Sequence, residues 1–134
     1  MRVKHIKHLL LSLALLSACW LTGCRTVTAP ADGTVPGSMA PQRVDIRGSV
    51  VSSRYSEGQV VLEVENFMPS VNSRYDRAYV LVQPTAQMLG VDGQPISVSE
   101  LHQGQNVAIL LRGGGQGTRI GVGIARKLWV EEGL

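Results

Sequence analysis

From Arg43 onward the sequence alternates. Val44, Ile46 and Gly48 take turns with Asp45, Arg47 and Ser49. Successive side chains of a strand point to opposite faces, so this period predicts a strand wet on one side and buried on the other. The phase slips at Val50-Val51, two apolar neighbours. That slip predicts a β-bulge, which bends one long strand so that it serves two parts of a curled sheet. No window beyond Cys24 carries an apolar 3.6-residue period for more than about two turns, so helix is a minor component.

The same reading places the remaining strands. Ser56-Glu57-Gly58 turns the chain; Val60, Leu62 and Val64 form the buried side of a second strand with Glu63 and Glu65 outside, a hairpin with the first. Asn66 to Arg77 is polar and broken by Pro69, a loop, and Ala78 to Val82 is a third strand ended by Pro84, which lacks the N–H that a ladder needs. Val91-Asp92-Gly93-Gln94 is a tight turn flanked by Met88-Leu89 and Ile96, and Ser99 to Gly104 accommodates one helical turn with Ser99 as its cap. Val107, Ile109 and Leu111 mark a fourth strand, Gly113 to Gly117 a flexible turn, and Ile120, Val122 and Ile124 a fifth that continues through Leu128 and Val130.

The expected fold is all-β: a small five-stranded antiparallel barrel of the OB type over residues 43–134, with a bent first strand and a helical turn between the third and fourth. Closure removes strand edges that would otherwise aggregate. An immunoglobulin-like sandwich needs about seven strands, and seven are not found. The tract from Arg77 to Val130, with Thr85, Asp92-Gly93, Ile96, Ser99-Glu100-Leu101, Gly104-Gln105 and Val107, resembles small lipid-anchored OB-like proteins of bacteria classed as domains of unknown function. That resemblance implies the same fold and supplies no catalytic residues.

Ahead of the domain lies a segment of different character. Met1 to His8 holds Arg2, Lys4 and Lys7 and no acid, and the fifteen residues Leu9 to Gly23 hold no charge. A basic start, an apolar run and small residues at its end mark an export signal, and the run is short of the roughly eighteen residues of a membrane-spanning helix. It ends Leu21-Thr22-Gly23-Cys24, which resembles the lipobox of bacterial lipoprotein precursors. The resemblance implies cleavage before Cys24, diacylglyceryl on its sulfur, and a mature protein held in the cell envelope by two or three acyl chains, where one chain alone binds only reversibly. An ordinary secretory signal cut near Ala29 or Ala31 is the alternative. Lipoproteins kept at an inner membrane typically carry Asp after the modified Cys; Arg25 stands there, which points to the periplasmic face of the outer membrane in a host with two membranes. The expected organisation is signal peptide 1–23, lipidated Cys24 and flexible linker to 42, and barrel 43–134. The eighteen linker residues RTVTAPADGTVPGSMAPQ have too little apolar surface to offset chain entropy, and their mean reach is about 23 Å.

Thirteen Lys and Arg against ten Asp and Glu give a net charge of +3, a balance that invites nucleic acid as a partner. Three of the bases and no acid precede Cys24, so the mature chain carries ten of each. A neutral chain has little basic excess to supply a nucleic-acid groove, so no nucleic acid partner is expected. The signal also removes Cys19, His5 and His8, and lipid occupies Cys24, leaving His102 as the one histidine and no thiol for a disulfide, metal or nucleophile.

The remaining constellations are sparse. Gly113 to Gly117 lacks the Lys-Ser or Lys-Thr of a phosphate-binding loop and runs into a strand rather than a helix. Arg112 and Arg119 flank it, and if they meet across the hairpin they form a cationic spot for an anionic headgroup or a glycan carboxylate. Of the aromatic residues, Tyr79 and Trp129 are expected to pack, while Tyr55 and Tyr75 are expected to line a cleft between the Asn66–Arg77 loop and the glycine turn. Tyr55, Tyr75, Arg112 and Arg119 are therefore the candidate binding residues. Asp45, Arg47, Glu63 and Glu65 read as cross-strand ion pairs and are too dispersed for calcium, so no metal and no cofactor are expected. His102 has only Glu100 near it in sequence and no recognisable nucleophile, so no catalytic constellation is found. The expectation is a lipid-anchored envelope protein, not an enzyme, whose barrel binds or scaffolds a glycan or protein partner. The alternatives are an accessory subunit of a larger envelope complex with no small ligand and, third, a hydrolase of the cell wall.

Overall fold

The computed structural model describes residues 38–66 and 72–133. Cys24, the signal segment and most of the linker lie outside these residues. Six strands form: β1 (Ile46–Ser56), β2 (Gln59–Glu65), β3 (Arg77–Val82), β4 (Gln87–Leu89), β5 (Asn106–Leu111) and β6 (Ile120–Glu131). Five of them close a ring in the order β1-β2-β3-β6-β5 and back to β1, a small barrel of OB-like connectivity. The all-β barrel is as expected, with two differences: β3 and β6 pair parallel, so the sheet is mixed rather than antiparallel throughout, and short β4 is a sixth strand where the sequence predicts only a turn flank. β4 also pairs parallel with β6, at Lys127 to Trp129, beyond the stretch Ile120 to Ile124 that β3 occupies. β3 and β4 are thus two pieces laid along one edge of β6, separated where Pro84 cannot donate to the ladder.

Two bulges let the long strands bend. β1 pairs with β5 through Ile46 to Ser49 and with β2 through Ser49 to Ser56, and its register against β2 shifts between Val50 and Ser52, the position at which the sequence phase slips. β6 shifts against β5 between Leu110 and Leu111, which leaves Arg126 unpaired and turns Leu128 inward and Trp129 outward.

The β1–β2 hairpin closes through Glu57 and Gly58, with Ser56 opposite Gln59. Both turn residues have positive φ, +51° and +79°, the type I′ geometry whose twist matches that of the strands. Glu57 pays for this conformation with about 1 kcal/mol that Asn or Gly would not lose. Glu57→Asn is expected to raise the stability by about 0.5–1 kcal/mol, read as a higher urea midpoint at unchanged slope, whereas Glu57→Val should lower it.

The barrel interior is filled by Ile46, Val50, Leu62, Val64, Tyr75, Val80, Val107, Ile109 and Leu128, all fully or almost fully buried. Each such aliphatic side chain contributes about 1.5–3 kcal/mol by leaving water. A 3-10 turn, Val98–Glu100, plugs one end with Val98 and Leu101. Its cap is Ser97 rather than Ser99: the Ser97 N–H donates to Glu100 Oε2 at 2.9 Å, and Ser99 Oγ is hydrogen-bonded to Ser97 Oγ instead. No buried side-chain nitrogen or oxygen among the described residues lacks a partner.

The linker boundary expected at Gln42 falls inside a stretch that packs on the barrel. Ala40 is fully buried with Val44, Ala108 and Trp129 in a second apolar cluster on the outside of β5 and the end of β6. Arg47 fastens this strap, donating from Nη1 and Nη2 to the carbonyl oxygens of Gln42 (2.8 Å) and Pro41 (2.9 Å) and from Nε to Glu131 (3.2 Å). Ser38 Oγ donates to the same Glu131 carboxylate. The composition of the strap is that of a linker; what orders it is the pair Arg47–Glu131 and an alanine small enough to lie against the Trp129 surface.

Candidate functional site

The cleft expected between the loop after β2 and the glycine turn is sealed, as far as its described residues show. Tyr75 is fully buried and belongs to the core. Its hydroxyl donates to the Gly114 carbonyl oxygen at 2.9 Å, Arg74 Nη1 donates to the same oxygen at 3.0 Å, and the Arg74 guanidinium lies 5.0 Å over the Tyr75 ring. The ring fills the space that Gly121 leaves: a Cβ there would stand 2.5 Å from it. Tyr75 is therefore a packing residue, not a cleft residue. A tyrosine in a polar loop reads as a surface residue because nothing local announces a glycine opposite it.

The two arginines are also engaged separately. Arg119 pairs with Asp76 at 2.9 Å, and Arg112 Nη2 donates to Thr85 Oγ1 at 3.3 Å. Each guanidinium is held by a neighbour of its own, a carboxylate for Arg119 and a hydroxyl for Arg112. Tyr55 is 63% exposed near the far end of β1, opposite Val60. Of the four candidate residues it is the one whose ring is free at the surface. Trp129 packs as expected, with Lys127 Nζ 4.7 Å over its ring, but Tyr79 does not.

Tyr79 instead belongs to a surface the alternation pattern hides. β6 turns Gly121 and Ala125 inward, because Tyr75 and Leu111 already occupy that part of the barrel, so its large residues face solvent. The register lays out three rows on the outer face of β2, β3 and β6. Glu65, Arg77 and Ile120 form the first, Glu63, Tyr79 and Val122 the second, and Val61, Leu81 and Ile124 the third. Val61 (43%), Tyr79 (40%), Ile120 (54%) and Val122 (56%) are all exposed, and Leu81 and Ile124 are half-buried between them. Strands stand about 4.8 Å apart and same-face residues about 6.8 Å along a strand, so with the footprint of its outermost side chains this wall measures about 14 Å by 20 Å.

One corner of the wall is charged. Arg77 bridges Glu65 (3.1 Å) and Glu63 (3.4 Å), and the Tyr79 hydroxyl donates to Glu63 Oε1 at 3.2 Å. The hydrogen bond and charge of Glu65, then the bond to Tyr79 and the charge of Glu63, hold the Arg77 guanidinium above its ordinary pKa against a small desolvation effect. Two carboxylates against one guanidinium leave the corner with one net negative charge.

A shallow depression of about 520 Å³ lies elsewhere, at the β4 turn, lined among others by Asp92, Ile96, Glu100, His102 and Gln105. The His102 Nδ1 donates to the Glu100 carbonyl oxygen at 3.0 Å, and the Gln105 amide donates to the same oxygen at 3.1 Å. His102 and Gln105 thus hold the loop after the 3-10 turn through one carbonyl. No group of three or more His, Cys, Asp or Glu gathers among the described residues.

The chain matches no protein-family model, no curated protein and no solved structure.

Proposed function

We propose that this is a lipid-anchored cell-envelope protein whose small barrel serves as a binding module for another protein. The observation that carries the binding role is the exposed apolar wall of β2, β3 and β6. The largest apolar patch on a monomer is commonly a few hundred Å² and is often functional, and Val61, Tyr79, Leu81, Ile120, Val122 and Ile124 form one such patch here. The location rests on Leu21-Thr22-Gly23-Cys24 at the end of an uncharged run. A protein partner is favoured over a glycan because Tyr55, Tyr75, Arg112 and Arg119 do not converge, while the surface that is available offers hydrocarbon rather than hydrogen-bonding groups. Nucleic acid fits neither the neutral mature chain nor this wall. An accessory role in a larger envelope assembly is the same reading with a permanent partner. Pairing through a strand edge is disfavoured, since the ring is closed and short β4 carries a bridge to Pro95 on its outer side.

The anchor is tested by the mass of the native protein. The expected product begins at Cys24, carries diacylglyceryl and a further acyl group, and sediments with membranes; Cys24→Ser leaves an unacylated chain that loses that association. A native chain that retains Met1, without acyl groups and in the cytosol, would overturn the location.

A further inference from the structure

Two apolar areas on the outer surface of the barrel differ in what the described residues lay over them. Ala108 and Trp129 are roofed by the strap at Ala40. No described residue roofs Tyr79, Ile120 or Val122. We propose that the uncovered wall is the docking surface for an amphipathic α-helix of a partner protein, one about thirteen residues long with an apolar stripe along it and a basic residue at the end that meets Glu63 and Glu65.

Backbone chemistry selects a helix. The amides and carbonyls of β3 are committed to ladders with β2 on one side and β6 on the other. An extended peptide lying on this face would lose water from its own backbone groups and find no partners there. A helix brings its backbone bonds satisfied internally. Dimensions agree: at 1.5 Å per residue a 20 Å wall takes about thirteen residues, and a helix about 10 Å across fits a width of about 14 Å. Charge sets the direction, because the one net negative charge at the Glu63–Arg77–Glu65 corner favours a Lys or Arg there.

Two other occupants fit less well. A second copy would bury about 300 Å² on each side, well under the roughly 1,200 Å² total of a stable dimer, whereas a helix on the same wall need only bind in the weak, transient class. A bilayer would need the wall to face the lipid. The one net negative charge at the Glu63–Arg77–Glu65 corner disfavours anionic lipid headgroups, and the contest between bilayer and partner rests on the anchor proposed at Cys24.

The test uses the native lipidated chain in lipid nanodiscs with labelled methyl groups, titrated with a synthetic fourteen-residue amphipathic helix bearing Leu at helical spacing and Lys at one end. Shifts are expected at the methyls of Val61, Leu81, Ile120, Val122 and Ile124 and not at buried Val50 or Val107. Binding is expected to weaken at least tenfold for a scrambled peptide and for Val122→Asp, whose circular dichroism should be unchanged because Val122 is exposed. Replacing the peptide's Lys by Glu is expected to weaken binding about two- to fivefold. Cys24→Ser chain free of lipid should bind as the native chain does, so loss of the anchor reading and loss of this one are separately visible. Equal binding of the scrambled peptide or of a strand-forming one, or no shifts at all, would overturn the proposal. So would wall methyls already shifted by nanodisc lipid alone, which makes the bilayer the occupant, or shifting with protein concentration alone, which makes it a second copy.

Discussion

Gly48→Ala is expected to cost about 3 kcal/mol or more, and Gly48→Val to abolish the cooperative unfolding transition. The reason is a collision with backbone, not strain in the glycine. A Cβ at Gly48 would stand 2.1 Å from the Glu65 carbonyl oxygen, 2.6 Å from its carbon and 2.9 Å from the Asn66 Cα. Gly48 is opposite Val107 of β5, and its neighbour Ser49 is opposite both Asn106 and Glu65, so this is where β1 passes from one partner strand to the other. The end of β2 folds over the glycine and cannot retreat without breaking pairs on both sides. Gly58 is the control. Its φ is +79° and a Cβ there meets nothing within 4 Å, so Gly58→Ala should cost only the conformational term of about 1 kcal/mol. Urea unfolding of both variants separates the two mechanisms; equal small losses would mean that β1 and β2 do not approach as closely as described.

Tyr75→Ala is expected to cost about 3–5 kcal/mol, the range for removing a large buried aromatic side chain. The ring is fully buried, and its hydroxyl helps hold the glycine turn at Gly114. Tyr75→Phe keeps the ring and loses one hydrogen bond, whose acceptor retains Arg74, so about 0.5–1 kcal/mol is expected. The partner position gives a sharper test. Gly121→Ala alone drives a methyl into the ring at 2.5 Å and should destabilise, yet in the Tyr75→Ala background the same methyl enters a cavity and should restore part of the loss. A change of sign of this kind is a direct coupling between contacting residues. Additive losses would place the ring elsewhere.

What the sequence discloses of this molecule follows from how far its signals reach. The bulge beside Val51, the Glu57-Gly58 and Asp92-Gly93 turns, and the strand identities are all written in neighbouring residues, and each is present. The parallel seam between β3 and β6 joins Arg77 to Ile120, more than forty residues apart, and no local period encodes which strands meet. The face of β6 is lost for a related reason. Ile120, Val122 and Ile124 look like an inward row until Tyr75, from a distant loop, is seen to fill the space over Gly121. The binding residues expected from the loop and the glycine turn are therefore displaced into structural roles, and the apolar wall that the same displacement creates is invisible in the pattern. The strap is hidden similarly: Pro41 and Gln42 read as linker until Arg47 and Glu131 are brought together.

The fold, the inward glycines and the outward wall all depend on the parallel closure of β3 against β6. Cross-strand nuclear Overhauser contacts test it most directly. Contacts of the Tyr79 ring with the Val122 methyls, and of the Leu81 with the Ile124 methyls, are expected at intensities like those between Val61 and Leu81 across the β2–β3 pair. If the β2–β3 contacts appear and those across the seam do not, the sheet is open and the barrel, with its wall, does not exist.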